Sequence, residues 1–205
     1  RGGVQSYYET GDRLVYSSKA DYEDWLVRLA KYSDNIINTT NNLKEALSKG
    51  YTQPKLVTKQ VITQIDNLLN NDLDSHPYLK IFLSANDEYF INDDKNQLIE
   101  DAKELIANKI IPAYQELNTF LKDEYLPQSR DSIGLDGVPN GKEWYEYVAR
   151  YHTTTNLTPD EIHDIGLNEV KRIRSEMEQI IKDLEWEGDF KSFLNYLRTS
   201  PRFYY

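Results

Sequence analysis

Metal or general-base chemistry in this chain would fall first to histidine, and there are three: His76, His152 and His163. A zincin site needs two imidazoles one helical turn apart, flanking a glutamate, so that both nitrogens reach one ion. No two of these histidines stand three or four residues apart. The run Asp160, Glu161, His163, Asp164 has the right residue types for a metal. On a helix, though, successive residues turn by about 100°, which sends Glu161 and His163 to nearly opposite faces. Those acids read instead as carboxylates matched to the positive end of a helix. His76 precedes Pro77 in a polar stretch and reads as a surface or turn residue. His152 closes the aromatic block begun by Trp144-Tyr145-Glu146-Tyr147 and is followed by Thr153-Thr154-Thr155. Two readings stand for it: a histidine favoured by a helix C-terminus, or one wall of a substrate cleft.

Other chemistry is excluded more simply. The chain has no cysteine, which removes disulfides, thiolate metal sites and a cysteine nucleophile. No Gly-rich phosphate loop, nucleophile elbow or dinucleotide fingerprint occurs. An enzyme built on His152 and nearby carboxylates has no visible nucleophile–base pair. No residue is therefore assigned as catalytic or as a metal ligand. A net charge of -10 argues against a broad nucleic-acid-binding surface. No apolar run approaches the roughly 20 residues of a membrane span. The 16 tyrosines suit half-buried positions, either helix-packing edges or a Tyr-lined cleft.

The elements that must position these residues are helical, which makes the expected class all-α, an irregular multi-helix bundle. Residues 1–17 lack periodicity and suggest an extended or irregular arm. Tyr22, Trp25, Leu26 and Leu29 fall on one helix face. Ser33 is placed to cap a second helix bearing Ile36, Ile37, Thr40, Leu43 and Leu47, with Gly50 ending it in a left-handed cap. Pro54 opens a third, with Val57, Val61, Ile65 and Leu68 facing inward. Residues 70–96 read as an elaborate connection with a short helix or two. Residues 97–125 form a long helical pattern kinked near Pro112, which must end before Pro127. Val138-Pro139-Asn140-Gly141 is a turn, and 142–152 a helix grouping Trp144, Tyr145 and Val148 with His152.

The helix over about 158–186 has the clearest punctuation. Thr158 is its N-cap, Pro159 takes the first position and Glu161 completes a capping box. Its stripe Gly166, Val170, Ile173, Met177, Ile180, Leu184 alternates steps of four and three, as in a helix lying along a partner, with Gly188 as its end. Asp189 restarts a short helix that stops before Pro201.

Leu126-Pro127-Gln128-Ser129-Arg130, Gly134-Leu135, Pro139-Asn140-Gly141, Trp144-Tyr145, then His152 through His163, Gly166-Leu167 and Glu169-Val170 follow one another in an order that resembles a known family. It is the bacterial domain-of-unknown-function family 885, whose members are regarded as zincin-like metallopeptidases, many of them exported or lipoprotein-anchored. Gly2-Gly3-Val4-Gln5, Tyr22 to Leu29, Gly50 to Pro54 and Ile111-Pro112-Ala113-Tyr114 fit the same order, so the resemblance spans nearly the whole chain.

The resemblance implies that residues 1–205 are a single helical region, part of a longer protein, forming the N-terminal half that walls a peptide-binding cleft. A chain opening Arg1-Gly2-Gly3 without methionine fits that expectation. The zinc motif would lie downstream. Zinc and a peptide substrate are thus expected of the full-length protein, with no cofactor held by these residues, and the location expected is periplasmic or envelope-anchored. Tyr145, His152 and Thr153 become candidates for lining the cleft because they fall in the most family-like segment. The competing expectation is a non-catalytic helical binding or interaction module.

Overall fold

A computed structural model describes residues 3–204. Gly2 of the family-like opening lies outside the described residues, as do Arg1 and Tyr205. Among the described residues there is no β-strand, only an isolated bridge between Pro54 and Arg130. The fold is all-α. It divides into two compact units, residues 1–141 and 142–205.

The first unit starts with a 3-10 turn, Val4–Ser6, and helix α1, Tyr8–Gly11. Whereas residues 12–17 are turn and irregular, residues 4–11 correct the expectation of an extended or irregular arm. The segment is held by its aromatics. Tyr7 stacks on Tyr32 with ring centroids 3.7 Å apart, and the Tyr32 hydroxyl donates to the Val4 carbonyl at 2.8 Å. Gly11 is buried, and a Cβ there would lie 2.9 Å from the Trp25 ring.

Helix α2 runs unbroken over Lys19–Ser48. The break expected at Ser33 does not occur. Ser33 is buried, and its hydroxyl donates to the Ala30 carbonyl one turn back, at 2.8 Å, which satisfies it inside the helix. Capping falls to Ser18, whose N–H donates to Asp21 at 2.9 Å in a capping box. At the far end Gly50 takes the expected left-handed conformation, φ 78°.

Helix α3 spans Lys55–Leu69, with Pro54 at the N-cap. Its buried face is Thr58, Ile62, Ile65 and Leu68, while Val57 is exposed. Ile65 and Leu68 face inward as expected, while in the first turns Thr58 and Ile62 are buried and Val61 is only partly so. The Thr58 and Ser129 hydroxyls lie 3.2 Å apart, and the Lys55 N–H donates to the Arg130 carbonyl at 2.8 Å.

The connection that follows holds 3-10 turns at Leu73–Ser75 and Asp87–Tyr89 and helix α4, Lys80–Leu83. Next comes one long helical segment: α5 Asp94–Leu105, a π turn Ile106–Ile110, α6 Ile111–Phe120, a second π turn Leu121–Tyr125, and α7 Leu126–Gln128. Each π turn stands just before a proline. The Ile111 N–H donates to Ile106, and the Leu126 N–H to Leu121, five residues back in each case. The wider turn gives the rings of Pro112 and Pro127 room that an α turn would deny them. The helix accordingly continues past Pro127 to Gln128, where an end before that proline was expected.

Every described hydrophobic side chain that is buried falls between Tyr22 and Tyr125. The core of the first unit forms where α2, α3, α5 and α6 pack together, around Trp25, Leu29, Ile65, Ile106 and Tyr114.

The second unit contains nearly all of α8, Gly141–Thr153, then α9, Pro159–Asp183, and α10, Phe190–Thr199. Thr158 caps α9 as predicted, with the Glu161 N–H donating to its hydroxyl at 3.2 Å and its own N–H donating to the Glu161 carboxylate at 2.8 Å. α9 ends sooner than Gly188: Glu185, at φ 50°, takes the left-handed position that follows it. Asp189 starts α10, accepting from the Ser192 N–H at 2.7 Å. Within the second unit the α9 stripe meets no partner. Its apolar side chains are exposed, and a Cβ on Gly166 would have nothing within 4 Å.

Candidate functional site

The helix that carries Tyr145, His152 and Thr153 begins at a turn that admits little variation. The Gly141 N–H donates to the Val138 carbonyl at 2.9 Å, and Asn140 is left-handed at φ 53°. A Cβ on Gly141 would sit 1.9 Å from the Leu135 carbonyl oxygen, so only glycine fits where α8 starts.

From that start, helical periodicity gathers Trp144, Tyr145, Val148 and His152 into an arc of about 100°. Tyr145 and His152 stand two turns apart, about 10.5 Å along the axis. Both are exposed, Tyr145 by 52%, and His152 is braced edge-on against the Tyr151 ring at 5.3 Å. Thr153 is not in that arc. Its hydroxyl donates to the Ala149 carbonyl at 2.9 Å and lies 3.0 Å from the Thr155 hydroxyl, which closes the last turn of the helix. Of the three cleft candidates, then, α8 brings Tyr145 and His152 together and uses the Thr153 hydroxyl to finish the helix.

Thr154 lies in the left-handed region at φ 56°. For a β-branched residue this costs about 1–2 kcal/mol. Glycine or asparagine is usual at such a helix end, so strain is stored next to the cleft candidates.

Zinc is the group the family resemblance implies. Among the described residues no three His, Cys, Asp or Glu side chains come together to hold a metal ion. Glu161, one of the acids in that run, is committed to the Thr158 N–H and hydroxyl, both at 2.8 Å, and these hold its pKa below the usual carboxylate range. The donor set present does not fit zinc, and no metal-assisted step is assigned to these side chains.

Two features of the first unit escaped the sequence reading. The first is an open groove of about 660 Å³ lined by Gln5, Tyr8, Arg13, Gln64, Asn67 and Asn71, among others. Gln5 donates to Gln64 at 3.0 Å across it. The amides at Gln64, Asn67 and Asn71 recur at helical spacing, a signal available in the sequence. These amides offer hydrogen bonds, and Glu9, which also lines the groove, is paired with Arg13 at 3.2 Å. The second is His76, which is not a surface residue but is 1% exposed. Its ring stacks on Tyr78 with centroids 5.8 Å apart, the Tyr78 N–H approaches Nδ1 at 3.4 Å, and Nε2 has no protein partner. Burial pushes its pKa below the ordinary histidine value.

With this geometry in view, the class is defined by comparison. The family described as bacterial protein of unknown function, DUF885, matches residues 1–205, and the chain belongs to it. No curated protein matches. Among solved structures, the crystal structure of "the putative lipoprotein from Colwellia psychrerythraea" is similar over 97% of this chain and 33% of its own, with a TM-score of 0.75 and 21% identity. At that identity the likeness is one of fold. The chain spans about a third of the length of that neighbour.

Proposed function

We propose that residues 1–205 form the helical, substrate-facing part of a zinc-dependent peptidase whose metal ligands and general-base glutamate lie outside these residues. The observation that carries this reading is the shared exposed face of Tyr145 and His152 on α8, among the motifs on which the family resemblance rests. A ring with a polar tip and, two turns further on, an imidazole offer an extended peptide both apolar contact and hydrogen bonds. In the full-length protein these side chains would bind and orient peptide, with no proton transfer assigned to them. The reading also places the parent in the periplasm or anchored at the envelope, which the lipoprotein description of the structural neighbour supports. No helix among the described residues is long and apolar enough to cross a membrane.

Peptide-cleavage kinetics on the full-length protein test the assignment. Tyr145→Ala and His152→Ala are expected to raise KM several-fold with kcat little changed, the pattern of lost ground-state binding. Unchanged kcat/KM in both would remove the cleft role. The second reading, a non-catalytic helical interaction module, draws on the exposed apolar surface of α9. Chelator-sensitive peptide cleavage separates the two.

A further inference from the structure

The seam of α9 has an incomplete environment. Gly166, Val170, Ile173, Met177, Ile180 and Leu184 follow the four-three alternation of a heptad. Val170 is 65% exposed and Leu184 61%, and even Met177 is 40% exposed. The charges beside the seam are already satisfied on the helix itself. Arg172 pairs with Glu169 and Glu176 at 2.7 Å each, and Arg174 with Glu178 at 2.6 Å. What remains without a partner is apolar. α10 packs on α9, yet the second unit by itself buries no described hydrophobic side chain. Helical stability in proteins comes mainly from a packed apolar face, and soluble proteins seldom leave so long a strip bare.

We infer that this seam seats an amphipathic helix contributed by the same parent polypeptide from outside residues 1–205. The occupant must be helical, because a heptad seam is filled by knobs from a helix crossing at about 20°. From Gly166 to Leu184 the seam rises about 27 Å, which sets the length to be covered. Gly166, with nothing within 4 Å of its missing Cβ, admits the closest backbone approach. The parent is favoured over a second copy by the solved neighbour. Its fold accompanies 97% of this chain, yet this chain accounts for 33% of the neighbour, which leaves ample polypeptide to provide the cover. The inference rests on the reading above only in taking the parent to be longer than these residues, and not in what it catalyses.

The chain has no cysteine of its own, so introduced thiols report exposure directly. M177C and V170C lie on the seam and K171C on the opposite flank. In the full-length parent, with any other thiols replaced, maleimide should label the seam positions about tenfold or more slowly than K171C, whereas in the 205-residue chain all three should label within about threefold. Seam positions as reactive as K171C in the parent would overturn the inference. So would protection in the 205-residue chain, assigned to a second copy if it grows with concentration and to this chain's own residues if it does not. Hydrogen exchange over 166–184 in the unsubstituted parent is independent of any variant's folding, and rapid exchange there would also overturn it. A protected seam in a parent that cleaves no peptide would sink the peptidase reading and leave this one standing.

Discussion

The hydroxyls of Tyr78 and Tyr114 lie 2.8 Å apart in the core of the first unit, and Tyr114 donates onward to the Val4 carbonyl. Tyr78 is therefore the donor to Tyr114. Burial drives both phenols well above their usual range, so both keep their protons at neutral pH. This relay ties the start of the chain to α6. Tyr114→Phe leaves the ring in place but strands the Val4 carbonyl with one donor fewer, and it removes the acceptor of the Tyr78 proton. A loss of about 1–3 kcal/mol is expected, read by denaturant unfolding. An unchanged midpoint would mean the relay contributes nothing net.

His76 gives the first unit a pH dependence of definite sign. Its folded pKa is lowered by burial, while the unfolded chain titrates near 6.5. Its contribution is intact above about pH 6.5 and is lost as pH falls from there through the folded value, because the unfolded state then binds the proton more readily. The melting temperature should fall over that window more steeply for the natural protein than for His76→Phe. Parallel pH profiles would contradict this.

Thr154→Gly relieves the left-handed strain at the end of α8 and should stabilise that helix by about 1 kcal/mol. Slower amide exchange in the last turn of α8 is the readout. Faster exchange would mean that the threonine hydroxyls hold the turn more firmly than the strain opposes it.

Much of the fold is legible in the sequence because helix punctuation is local. The capping box at Thr158, the left-handed Gly50 and the Pro139-Asn140-Gly141 turn appear where residue types demand them. The misreadings share a cause: each depends on a contact the sequence does not print. Ser33 looks like a cap until its hydroxyl bonds back to Ala30 inside an unbroken helix. Pro127 looks like a stop until a π turn makes room for it. His76 looks like a surface residue until Tyr78 covers it. The candidate site was legible only as far as periodicity goes. Spacing alone puts Tyr145 and His152 on one face of α8, but it cannot reveal that the Thr153 hydroxyl closes the helix.

Gly141 and Gly166 respond oppositely to substitution. Gly141→Ala drives a Cβ into the Leu135 carbonyl oxygen, 1.9 Å away, and backbone cannot yield cheaply. A loss of about 1–3 kcal/mol is expected on thermal unfolding. Gly166 lies mid-helix with open space beside it, so Gly166→Leu should stabilise α9 in the 205-residue chain, by about 0.5–1 kcal/mol. In the full-length parent the covering helix reverses the sign, because the added side chain overpacks the seam. A stabilising Gly166→Leu in both proteins would contradict the covered seam.

Metal content measured alongside peptide cleavage tests the central claim most directly. The full-length parent is expected to purify with stoichiometric zinc and to cleave peptide until a chelator removes it, while residues 1–205 alone bind no zinc tightly. Tight, stoichiometric zinc on residues 1–205, or a parent whose peptide cleavage is absent or indifferent to chelation, would contradict the account.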